Sequence, residues 1–167
     1  MDEKQIKYVL KKRDQLLTPA KTLGISIMVD EKGSSIADVG YAPFIRSDGY
    51  FYIYSSDLSS HVRAMINGSE ARFFLIEDEG KSPNIWARVR LKFAADVLEL
   101  TRDDKRFSLL CKQIGQVHGP VMEMIRNFTD FHLFEIIPKH GTLVTGFAQA
   151  FSVRGPAFEL TEHLRKN

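Results

Sequence analysis

A single cysteine, Cys111, in 167 residues excludes an internal disulfide framework and any metal site built from several thiolates. It suits a reducing compartment. Neither sign of charge is in excess. The 23 Lys and Arg against 21 Asp and Glu leave a net +2 and a pI near 8.6, too weak a bias to point to a nucleic-acid partner. No apolar run approaches the length of a membrane span, so no membrane insertion is expected. The N-terminus is charged from Asp2 onward, without the apolar stretch of a signal peptide, and a cytoplasmic location is the expectation. There is no P-loop, no GxGxxG, no HExxH and no GxSxG elbow. His132 and His140 lack a second histidine or carboxylate at helical chelating spacing, which argues against a zinc enzyme.

What is present is a rich apolar set, including 12 Phe, arranged with β periodicity. Residues Asp2 to Leu17 form an amphipathic pattern, with Ile6, Val9, Leu10 and Leu17 on one stripe, stopped by Thr18-Pro19. Strands follow at Gly24–Val29, Ala37–Ile45 and Tyr50–Tyr54, separated by turns at Asp30–Gly33 and Ser47–Gly49. Pro43 places its strand at an edge or a bulge. A short helix over Leu58–Ile66 uses Leu58, Val62 and Met65 as its stripe. A strand over Arg72–Ile76 and a long extended stretch over Ile85–Leu100 come next. Thr101 caps a helical insertion over 101–128, broken at His118-Gly119-Pro120. Two last strands, Phe131–Ile137 and Thr142–Val153, are joined by Pro138–Gly141, and a polar tail covers 154–167. This reads as one domain, 1–167: an N-terminal helix (1–18), a barrel (24–153) and the tail. So many short antiparallel strands imply a barrel or sandwich with flanking helices. Phe131 to Ile136 is apolar on both faces, so helices or a second subunit must cover the outer one.

Four groups of side chains could carry chemistry. Arg88, Arg90 and Lys92 alternate along one strand. They would suit carboxylates or a phosphate, or would form a solvated sheet face. Ser55 and Ser56 precede Asp57 and a helix start, which serves either an anion or an ordinary helix cap. His163, near the chain end, could reach across a dimer to ligate iron or could simply face solvent. Tyr50, Tyr52 and Tyr54 share a face that packs, or that walls a planar ligand. Cys111 lies on an apolar helix stripe and reads as a core residue.

Several ordered stretches together resemble the HugZ/HutZ haem-utilisation family. They are Tyr41-Ala42-Pro43-Phe44, Ile76-Glu77-Asp78, Trp86-Ala87-Arg88-Val89-Arg90-Leu91, Phe131-His132-Leu133-Phe134 and Gly141 to Ala150. The resemblance implies a split β-barrel of the FMN-binding, pyridoxamine 5′-phosphate oxidase-like type, forming a homodimer with two interfacial sites. It implies haem binding and oxidative haem cleavage fed by an external electron donor. A tail histidine, here His163, would ligate the iron. Arg90, with Arg88 second, would lie near the bound oxygen or the propionates, and Asp130 would support the proximal histidine. Aligning the tail arginine with Arg165 puts Leu164, next to His163, at the ligand position. Two alternatives accompany this reading: an FMN-dependent oxidoreductase holding phosphate with Ser55, Ser56, Arg88 and Arg90, and a non-enzymatic haem carrier or store.

Overall fold

The structure, a computed structural model, describes residues 1–164; Arg165 lies outside the described residues. Helix α1 spans Glu3–Leu17, and the Asp2 carboxylate caps it by accepting from the Gln5 N–H. Then come β1 (Thr22–Glu31), β2 (Ser34–Ser47), β3 (Tyr50–Ser56), α2 (Ser60–Ile66), β4 (Ala71–Ile76), β5 (Arg90–Leu100), α3 (Phe107–His118), α4 (Val121–Ile125), β6 (Phe131–Gly146), β7 (Gln149–Arg154) and β8 (Glu159–Leu164). Single 3-10 turns at Glu79–Lys81 and Ile85–Ala87 lie between β4 and β5. The expected mainly antiparallel split barrel is what forms. Among the described residues no helix is long and apolar enough to cross a membrane.

The strands follow the order β3-β2-β1-β4-β5-β6-β7-β8, and an additional β3–β6 pairing closes six of them into a barrel. Strand β6 does two jobs. Its first half, Phe131 to Ile136, pairs with β3 to close the barrel. Its second half, His140 to Gly146, pairs with β7, which leads out to β8. The expected Pro138–Gly141 connection is therefore not a turn. Ala94 pairs with His140 and Ala95 with Pro138, leaving Lys139 as the extra residue of a β-bulge. Proline, which cannot donate to a ladder, is tolerated at such an irregularity. Gly141 is required by close approach, since a Cβ there would lie 2.4 Å from the Lys92 carbonyl oxygen.

Pro43 sits where β2 changes partner. Residues up to Pro43 pair with β1, and Phe44 to Ser47 pair with β3. Three other expectations need correction. Leu58 is 81% exposed and precedes α2 instead of joining its apolar stripe. Thr101 caps no helix: residues 101–106 make turns, and α3 begins at Phe107. The tail is not merely polar chain, because β8 extends the sheet beside β7. The break after His118 is as expected, with Gly119 at φ +96°.

Two cores hold the fold. Inside the barrel, Phe93 stacks between Phe51 (5.3 Å) and Phe73 (5.6 Å), with Phe158 edge-on at 5.1 Å. Outside it, Tyr52, Tyr54 and Leu133 meet Phe107, Leu110, Cys111 and Ile114 of α3. Helices thus supply the cover that the two-faced apolar β6 demanded. Among the described residues no helix gives such cover to the outer faces of β2 and β4, where Val39, Tyr41, Phe74 and Ile76 are exposed.

Candidate functional site

Residues directly opposite one another in an antiparallel sheet project to the same face. From Arg90 the register runs through Ile76 on β4, Val144 on β6, Ala150 on β7 and Leu164 on β8. This row faces outward and is apolar apart from its one guanidinium. Arg90 is exposed. One of its nitrogens donates to the Arg88 carbonyl at 3.1 Å, and among the described residues no carboxylate lies within ion-pair distance of it. The adjacent row, one residue along each strand, is Leu75, Leu91, Leu143, Phe151 and His163. Its first four members are fully or nearly fully buried in the barrel.

His163 therefore projects to the barrel side of β8, and Leu164 to the side of Arg90. The His163 ring stacks on Phe151 at 4.6 Å, and its Nε2 lies 3.2 Å from the Ala148 carbonyl oxygen. A carbonyl only accepts, so Nε2 carries the proton in that bond. The expected basic row is also altered. Arg88 precedes β5, and its guanidinium folds back, donating to the Glu77 carbonyl and pairing with Glu79 at 3.0 Å. Arg90 and Lys92 alone keep the outward alternation.

A second cluster stands at the far end of β6. The Ser56 hydroxyl donates to the Asp130 carboxylate at 2.6 Å, and the Asp57 N–H donates to the Asp130 carbonyl at 2.8 Å. Ser55 pairs across the sheet with His132. His132 is held between two carboxylates, Asp57 at 3.2 Å from Nε2 and Glu99 at 2.7 Å from Nδ1. Both partners accept, so both ring nitrogens donate, which is the imidazolium form. Partial burial pushes the His132 pKa down, but the bonds to Glu99 and Asp57 outweigh it and hold the ring above the ordinary histidine range. Sequence reasoning missed Asp57, Glu99 and His132 as a unit, because only the β3–β6 and β5–β6 pairings bring them together.

The candidate residues thus divide into two groups. Arg88, Arg90 and His163 stand where β5 begins, and Ser55, Ser56 and Asp130 stand near where it ends. The 11 residues of β5 correspond to on the order of 30 Å of extended chain. Within one chain, Ser55 and Ser56 cannot share a phosphate with Arg88 and Arg90.

Comparison with known proteins decides the family. The chain is 31% identical over 135 residues to the heme oxygenase HutZ of Vibrio cholerae, covering 81% of this chain and 75% of that one. The chain belongs to the HutZ-type haem-utilisation family. A crystal structure of HutZ, described as a heme storage protein from Vibrio cholerae, superposes with a TM-score of 0.66 at 28% identity, over 86% of this chain and 94% of that one. Campylobacter jejuni ChuZ shares the fold, with a TM-score of 0.74 at 24% identity over 96% of this chain and 68% of that one. A Clostridium acetobutylicum protein of the pyridoxinephosphate oxidase family also shares it, with a TM-score of 0.62 at 12% identity over 92% and 96% of the two chains. No family model matches the sequence.

Within this HutZ-type chain, packing removes the tyrosine face as a candidate and bears out Cys111 as a core residue. Tyr52 and Tyr54 are buried against α3, and Tyr50 packs beside them, so the tyrosine face walls no ligand. Burial pushes the Cys111 thiol pKa up, away from nucleophilic use. His118 is spent on the Phe44 carbonyl at 2.8 Å.

Proposed function

We propose that the chain binds haem and cleaves it oxidatively for iron utilisation, as a cytoplasmic homodimer supplied with electrons by an external donor. The observation that carries this reading is the outward row of Ile76, Arg90, Val144, Ala150 and Leu164. An apolar wall bearing one guanidinium without a carboxylate partner among the described residues matches a planar tetrapyrrole with anionic propionates. The relative named heme oxygenase supports the same ligand class.

Haem is the substrate here, and its iron supplies the dioxygen chemistry when bound. The chain's own residues bind and orient. Arg90 stands at the wall, for a propionate or for a polar contact near the reacting edge, with Arg88 behind it. Asp130 is the carboxylate proposed to support a proximal histidine, and the Ser56 hydroxyl fixes its orientation. Ser55 and Ser56 line that far end. A two-fold dimer is favoured because it can bring the Arg90 end of one barrel to the Asp130 end of the other, which a single chain keeps apart. The exposed Val39, Tyr41 and Phe74 offer apolar surface for such a contact. Ligation of iron by His163 requires its ring to leave Phe151 and the Ala148 carbonyl and turn to the face of Leu164. His163→Ala tests that step: loss of haem affinity with an altered Soret band places His163 at the iron, and an unchanged band removes it.

Exposing the haem complex to ascorbate and oxygen in the presence of catalase separates enzyme from carrier or store. Loss of the Soret band with a bilin-like product is the expected outcome, and persistence of intact haem would overturn cleavage.

A further inference from the structure

The row around Arg90 provides a floor for a planar ligand but no aromatic surface, and the tyrosines that could have provided one are buried against α3. Two large aromatics nevertheless stand open at the same end of the barrel. Trp86 is 80% exposed and Phe147 is 65% exposed. Their placement follows from the register. Arg90, the first residue of β5, pairs with Val144 near the end of β6, so the 3-10 turn that holds Trp86 leads into this end of the sheet and the turn that holds Phe147 leads out of it. Both residues therefore belong to the segments that flank the Arg90–Val144 pair at one end of the barrel.

Neither segment is loose chain. The Trp86 N–H donates to the Asn84 side chain at 3.0 Å, the Ala87 N–H donates to the Asn84 carbonyl at 3.0 Å, and Arg88 is anchored to Glu77 and Glu79. Phe147 sits in the β6–β7 turn, where Ala148 takes φ +55° and Gln149 bonds Thr145 at 3.0 Å. The backbone of both turns is fixed in advance, so a ligand has only the two side chains to order. Apolar surface beside a guanidinium that has no carboxylate partner among the described residues selects a flat amphipathic anion over a purely apolar partner.

We infer that Trp86 and Phe147 are the aromatic walls of the tetrapyrrole site, clasping the ligand above the Ile76–Arg90–Val144 floor. This rests on the haem reading above and adds two binding residues to it. The test is a haemin titration followed at the Soret band for the parent chain, Trp86→Ala, Trp86→Phe and Phe147→Ala, with sedimentation velocity on each. The Kd should rise about tenfold for each alanine variant, the worth of one stacking contact. Trp86→Phe should keep most of the affinity, and the unfolding midpoints should not move, since both side chains are exposed. Alanine variants that bind haemin like the parent would overturn the inference and leave the haem reading standing. Dissociation of a dimer with haemin affinity unchanged would overturn it too, assigning the aromatics to a subunit contact. A parent chain that does not bind haemin would overturn the haem reading itself, and this inference with it.

Discussion

Replacing His132 by Asn should remove a pH-dependent part of the stability and loosen the end of the barrel that carries Asp130. In the parent the imidazolium donates to Asp57 and Glu99, fastening the segment between β3 and α2 to β5 and β6. A bond to a charged group contributes about 1.5–3 kcal/mol when buried. Here the carboxylates are 38% and 37% exposed, and solvent screening lowers each bond to about 1 kcal/mol, so the pair contributes about 2 kcal/mol. The folded-state pKa of His132 is raised above the unfolded value of about 6.5. The contribution is therefore complete below pH of about 6.5 and is lost as pH rises through the folded-state pKa. Urea unfolding checks this. At about 2 kcal/mol/M, the parent should exceed His132→Asn by about 1 M in midpoint at pH 6. That gap should narrow as pH is raised through the folded-state pKa and the ring loses its charge. A gap that stays constant across the whole alkaline range in which the parent folds would refute the charged clamp and leave only neutral packing.

Phe93→Ala removes the ring at the centre of the Phe51–Phe73–Phe158 group and should cost about 3–5 kcal/mol, lowering the thermal midpoint by about 10 °C or more in a circular-dichroism melt. Tyr52→Phe takes the 2.9 Å hydroxyl donor from Glu135, which is 5% exposed and otherwise paired with Arg106 at 2.6 Å. It should cost about 2 kcal/mol. The same tyrosine in the parent, pushed up to about 12 by burial and by Glu135, should show no phenolate absorbance at pH 10.

The barrel was legible where local pattern and final pairing agree. The meander of β1 to β3 follows from alternation and from turns at Gly33 and Gly49, both at positive φ, and the outer α3 follows from the two-faced β6. The rest was hidden for physical reasons. Pro138 and Gly141 carry turn signals, yet β5 on one side and β7 on the other hold the chain extended, so the pairing absorbs them as a bulge. Strand β8 has no apolar alternation to reveal it, because its residues are mostly exposed and it exists by pairing with β7. Arg88 alternates with Arg90 in sequence, but the Glu77 carbonyl draws it out of the strand. Arg90 was legible only as one of three alternating cations, and its apolar neighbours Ile76, Val144, Ala150 and Leu164 follow from the register. The clamp on His132 joins three segments remote in the chain, and no spacing rule connects them. That His163 and Leu164 face opposite ways follows only from the β7–β8 register.

The central claim is a planar, anionic tetrapyrrole held at the Arg90 wall, and absorption titration of the chain with haemin and, separately, with FMN tests it most directly. Haemin should give a saturable Soret shift, weakened in Arg90→Ala, and FMN should form no complex. A yellow FMN complex with no saturable response to haemin would contradict it.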